Sequence, residues 1–167
     1  MNPMKEKYEE FHEKARVQTK IVDSKNFVYH IVLASIDKYL QPNMKVLDIG
    51  CGIGTISLYI GNKSNEVFGV DISGKAISTA QKSAEILGLR NASFRAIDFL
   101  DTGFQEKFDF IICSEVLEHL VDEKLALNKI HELMKKVAIL FLTVRSKNAL
   151  IHRIRKFLLG DDTFNRK

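Results

Sequence analysis

The sequence is short of several things. It has two cysteines among 167 residues, with no CxxC pair and no Cys/His spacing, so the usual marks of zinc or redox chemistry are missing and reduced thiols are expected. No metal is expected. No apolar run approaches the roughly 20 residues that span a bilayer, and neither end reads as a secretory signal with a small-residue cleavage site. A soluble chain working in the cytoplasm is the expectation. Most of the chain also lacks a charge excess of one sign: residues 1–144 hold 18 Lys/Arg against 19 Asp/Glu, so nucleic acid is not an expected partner. The surplus behind the net charge of +4 lies in residues 145–167, which hold seven basic side chains against two acidic ones. That stretch suits phosphate, an acidic lipid surface or nucleic acid, although a solvated basic face is the commoner reason for such a run.

With 46% hydrophobic residues, the chain has enough apolar surface for one core, and one domain of ordinary size is expected. The first 22 residues are charge-rich, and Tyr8, Phe11 and Ala15 give them a narrow helical stripe. This segment reads as a lid or packing arm. Ser24 is placed to cap a helix running to about Leu40, in which Phe27, Val28, Ile31, Val32, Ile36 and Leu40 recur at helical spacing before Pro42. From Lys45 the pattern changes. Strands are predicted over 46–50, 66–72, 92–98, 108–114 and 137–144, with helices over 55–60, 75–87 and 122–135. Strands alternating with helices imply parallel pairing through right-handed crossovers. The predicted fold is therefore α/β: a Rossmann-like, doubly wound, mostly parallel sheet with helices on both faces.

Such sheets bind ligands beyond the carboxyl ends of their strands, at the point where strand order reverses. The residues there are Asp48 to Gly54, Asp71 and Ile72, Asp98 and Phe99, and Ser114 to His119. The first turn reads G-x-G-x-G across Gly50, Gly52 and Gly54, not the G-x-G-x-x-G of dinucleotide sites. Asp48 ahead of it would repel a pyrophosphate and suits a ligand with a positive amino group. S-adenosylmethionine has that group, and a carboxylate for the exposed N–H groups of the turn. Asp71 lies 21 positions after Gly50, close to the offset at which an acid accepts ribose hydroxyls. Asp98 suits an adenine amino group, and Phe99 or Ile72 can cover the base. Cys51, between two glycines, reads as a small residue in the cofactor turn.

VLDIGCGIGT, VFGVDIS, FRAIDF and FDFIICSEVLEHL together resemble the successive motifs of class I S-adenosylmethionine-dependent methyltransferases, over residues 45–144. The resemblance implies S-adenosylmethionine as cofactor and S-adenosylhomocysteine as product. It places Asp48, Gly50, Gly52 and Gly54 around the methionine moiety, Asp71 at the ribose, Asp98 and Phe99 at the adenine, and Glu115 near the sulfonium and substrate; Cys51, Ile72 and Ser114, beside them at the strand ends, complete the expected cofactor-binding set. The expected organisation is an arm at 1–22 and a methyltransferase domain at 23–167. The family fold continues past its fifth strand with an antiparallel hairpin of strands six and seven, which this sequence does not supply, so the domain is expected to be incomplete at its C-terminal end.

Methyl transfer from a sulfonium is a direct displacement, so positioning supplies most of the catalysis. A hydroxyl acceptor also needs a base. His119 is the first choice, since an unperturbed imidazole titrates near neutrality; orienting Glu118 is its other reading. The expected activity is methylation of a small or lipid-like acceptor, at oxygen, with Glu115 and His119 as catalytic residues. Two alternatives stand beside it. Glu115, Glu118 and His119 are similar to the E-x-x-E-H element of metal-assisted RNA 2′-O-methyltransferases, and a cofactor-binding but silent subunit is also compatible with the motifs. Residues 148–159 are predicted to form a basic amphipathic helix suited to a membrane surface or phosphate, or to packing within the fold.

Overall fold

The computed structural model describes residues 3–63 and 66–144. Its elements in chain order are α1 (Pro3–Phe11), α2 (His30–Asp37), β1 (Lys45–Ile49), α3 (Thr55–Gly61), β2 (Glu66–Asp71), α4 (Gly74–Ile86), β3 (Ala92–Ala96), β4 (Phe108–Ser114), α5 (Glu123–Leu133) and β5 (Met134–Thr143). The strands form one sheet in the order β3-β2-β1-β4-β5, and every pairing is parallel. The chain builds outward from β1 to β3, then returns to lay β4 on the other side of β1. That reversal is the switch point at which such sheets open a crevice.

The central strands β1, β2 and β4 are buried on both faces, as strands inside parallel sheets are, whereas β3 and β5 at the edges are only half-buried or exposed. On one face Leu47, Ile49, Ile111 and Cys113 meet Ala126, Leu127, Ile130 and Leu133 of α5. On the other, Val46, Val67, Phe110 and Ile112 meet Leu33 and Ile36 of α2 and Tyr59 and Ile60 of α3. The strict alternation of Val46 with Leu47, and of Phe110 with Ile111, assigns each neighbour to an opposite face. Helix starts are set by side chains: Ser73 accepts from Ala76 N–H at the head of α4, and Asp122 accepts from Leu125 N–H at the head of α5. Both satisfy donors that the first helical turn leaves open.

Three predicted elements differ. The helix expected from Ser24 begins only at His30, because Asp23 and Asn26 accept from Lys25 N–H and Val28 N–H and hold the chain in turns. The arm is helical only over Pro3–Phe11; beyond it Gln18 fastens the chain, donating from Nε2 to the Ile53 carbonyl and from its backbone N–H to Ser83 Oγ. Met134 and Lys135, expected to finish a helix before a turn, already belong to β5, with Met134 paired to Phe108 across an irregularity in the ladder. The basic helix expected over 148–159, and Arg145, lie outside the described residues.

Candidate functional site

The loop between β1 and α3 takes its shape from backbone that only glycine tolerates well. Gly50 has φ +68 and Gly54, at the head of α3, has φ +79. A Cβ at Gly50 would also collide with Cγ2 of Val116 from the loop after β4, so this position is closed to any side chain. The Gly50 and Cys51 N–H groups both donate to the Val70 carbonyl, at 2.8 and 3.0 Å. The turn is thereby stitched to the end of β2.

Two aspartates brace it. Asp71 Oδ2 accepts from Gly52 N–H at 2.9 Å and Oδ1 from Ser73 N–H at 2.8 Å, so one carboxylate ties the glycine turn to the head of α4. Asp48 is 2% exposed and accepts from Ser57 Oγ at 2.5 Å. Burial pushes its carboxyl up to about 7; the Ser57 hydrogen bond opposes the rise and the charge of Asp71 adds to it. Desolvation, with the charges of Asp48 and Asp71, also drives the Cys51 thiol well above its ordinary range. The cysteine is therefore held as a thiol, which suits a small space-filler and not a nucleophile.

Beside this loop a cavity of about 350 Å³ opens at the carboxyl ends of β1, β2 and β4. Its wall takes Gly50, Asp71, Ile72, Asp98, Phe99, Glu115 and His119 from the residues singled out in the sequence. Asp48, Cys51, Gly52, Gly54 and Ser114 stand outside that wall. Asp48 faces α3, and Ser114 Oγ shares a 2.7 Å hydrogen bond with Thr143 Oγ1. Asp98 Oδ1 accepts from Leu100 N–H at 3.0 Å, capping the short turn Phe99–Asp101. Glu115 sits at φ +58, an uncommon conformation for a non-glycine residue and one that gathers at functional sites.

The rest of the wall is apolar except for Asp122. Val116, Leu120, Val121 and Leu125 come from the segment around His119 and the start of α5, and Met4 and Tyr8 come from α1. The Tyr8 ring meets the His119 ring edge-on, with centroids 5.9 Å apart. Tyr8 belongs to the helical stripe of the arm that the sequence reads as a lid or packing segment, and Met4 lies one helical turn before it. Among the described residues no three of His, Cys, Asp and Glu are grouped so as to hold a metal ion, Glu115, Glu118 and His119 included. The cavity thus has two parts: a polar end with Asp71 and Asp98 beside Ile72 and Phe99, and an apolar end around His119.

Comparison with known proteins agrees with this geometry. Residues 40–158 match the family model described as a methyltransferase domain. The chain is 36% identical over 114 residues to a ubiquinone biosynthesis O-methyltransferase of Glaesserella parasuis, covering 63% of this chain and 47% of that protein. It is 31% identical over 116 residues to the (S)-coclaurine N-methyltransferase of Papaver somniferum, covering 65% and 33%. It therefore spans under half the length of these relatives. Among solved structures it resembles magnesium protoporphyrin IX methyltransferase of Synechocystis, determined with S-adenosylmethionine bound, at a TM-score of 0.63 and 28% identity over 80% of this chain and 65% of that one.

Proposed function

The chain belongs to the class I S-adenosylmethionine-dependent methyltransferases, and from that premise we propose that it methylates a small-molecule acceptor at oxygen. The observation that carries this is the two-part cavity, in which an end lined by Asp71, Ile72, Asp98 and Phe99 adjoins a largely apolar end containing His119. Its 350 Å³ is within the usual range for small-molecule sites.

The residues at the polar end fit the cofactor. Asp71 offers two carboxylate oxygens to a ribose diol while its backbone bonds fix its orientation. Asp98 suits the exocyclic amino group of adenine, Ile72 and Phe99 suit the faces of the base, and Gly50 presents backbone to the same wall. When bound, the cofactor supplies a methyl group on a sulfonium, a leaving group that departs neutral.

At the other end Leu120, Val121, Leu125, Met4 and Tyr8 line the wall and favour an acceptor with an apolar body. His119 takes the hydroxyl proton as the acceptor oxygen attacks, and Glu115 stands on the same wall. Positioning supplies the larger part of the rate and the base about a hundredfold or more. The O-methyl and N-methyl activities in the names of the relatives make the acceptor atom the point to test. Labelled methyl transfer to phenolic and amine acceptors should favour the phenols. His119→Ala should lower kcat about a hundredfold, leaving S-adenosylhomocysteine affinity within twofold of the parent. An unchanged kcat in that variant would reject His119 as the base.

A further inference from the structure

Helix α1 has nine residues and none of them is buried. A helix so short is not stable alone, so what holds it against the domain decides what it does. The hold is polar and centres on Glu9. Its Oε1 accepts from Gly74 N–H at 2.7 Å, and its Oε2 accepts from Lys75 N–H at 3.1 Å and from Ser73 Oγ at 3.2 Å. Glu13 adds an ion pair to Lys75 at 3.5 Å. Ser73 already caps α4 through Ala76 N–H, and Gly74 and Lys75 are the first-turn donors it does not reach. A carboxylate from the start of the chain completes the cap of a helix some 65 residues away.

This grip lies next to the ligand-facing acid. Ser73, whose hydroxyl meets Glu9, has its backbone N–H on Asp71 Oδ1. One residue before Glu9, Tyr8 reaches across to the His119 ring, and Met4 lies one turn further back on the same cavity wall. The short helix therefore joins the head of α4 to the apolar end of the cavity, with Met4 and Tyr8 half-buried on the cavity side.

We propose that Glu9 is a positioning residue, a latch that closes α1 over the cavity and sets how long the cofactor stays and how the acceptor wall is shaped. The inference rests on the cofactor reading of the cavity given above. Release of cofactor requires the Glu9 carboxylate to leave the α4 amides, which loosens the hold of α1 on the domain. Ligand contact at Asp71 tightens the same turn that Glu9 grips, so cofactor binding and lid closure favour one another.

The test compares the full chain with Glu9→Ala, Glu9→Gln and Glu10→Ala, the last removing an exposed charge from the same helix. Surface plasmon resonance with S-adenosylhomocysteine gives the two rate constants, and limited trypsin digestion reads the arm through its exposed Lys14 and Arg16. In Glu9→Ala the dissociation rate should rise about three- to tenfold, the range expected from losing a helix cap, with a smaller change in association. Trypsin should cut the unliganded arm faster in the same variant. Glu9→Gln, which keeps an acceptor oxygen, should fall between it and the parent, and Glu10→Ala should match the parent. Parental dissociation and digestion rates in Glu9→Ala, or equal effects from Glu10→Ala, would overturn the latch. If the parent chain binds no S-adenosylhomocysteine, the cofactor reading fails instead, and the digestion of unliganded protein still decides whether Glu9 holds α1.

Discussion

Replacing Asp48 by asparagine should make the domain more stable at pH 8 and have a much smaller effect at pH 4. In the folded chain the carboxyl is buried behind the glycine turn and titrates near 7, against an ordinary 3.8. Between those values the folded state keeps a proton that the unfolded chain has lost. Unfolding then releases a proton, and stability falls as pH rises, by about 1.4 kcal/mol per unit. Over the whole shift the loss reaches about 4 kcal/mol above pH 7 and vanishes below pH 4. Asparagine has nearly the same shape and retains an oxygen for the Ser57 hydroxyl, so it removes the titration with little repacking. Any cost from its new NH₂ group does not vary over this range. Urea unfolding of both proteins at unit steps from pH 4 to pH 8 gives the difference directly. It should grow in favour of Asp48→Asn through the window and then level off. A difference that stays flat with pH, or grows the other way, would refute the burial argument.

Other outcomes follow from the same region. Gly50→Ala combines a positive φ with a collision against Val116 and should cost about 1–3 kcal/mol in urea unfolding, with cofactor affinity reduced as well. Cys51 and Cys113 should both resist a thiol reagent at pH 8 in the folded protein, since desolvation raises both thiols, Cys113 to about 12. Both should react promptly in denaturant. Fast labelling of Cys51 in the folded chain would show that the turn opens more readily than its stitching to Val70 implies.

Much of the fold is legible in the sequence because its strands are continuous apolar runs and its helices are punctuated. The runs at 108–112 and 137–142 have the composition of strands covered on both faces, and Ser73 and Asp122 stand where helix caps are required. The shortened α2 was legible too, in Asp23 and Asn26, but the apolar period running back to Phe27 competes with that turn chemistry. Asp48 shows a subtler case. Its place in a motif points toward the ligand, yet its alternation with Leu47 and Ile49 puts it on the face of Val46, toward α3 and Ser57. The arm was legible as a lid or packing segment, but the Glu9 contact that holds α1 was not. Glu9 meets α4 across about 65 residues of chain, and no local pattern specifies a contact at that separation.

The central claim is that the polar end of the cavity binds a nucleoside through Asp71, and calorimetric titration with S-adenosylhomocysteine tests it most directly. The parent chain should bind one equivalent, and Asp71→Asn should weaken that binding about ten- to a hundredfold, the range for losing charge-assisted hydrogen bonds. No binding by the folded parent chain, or equal affinity in the two proteins, would contradict it.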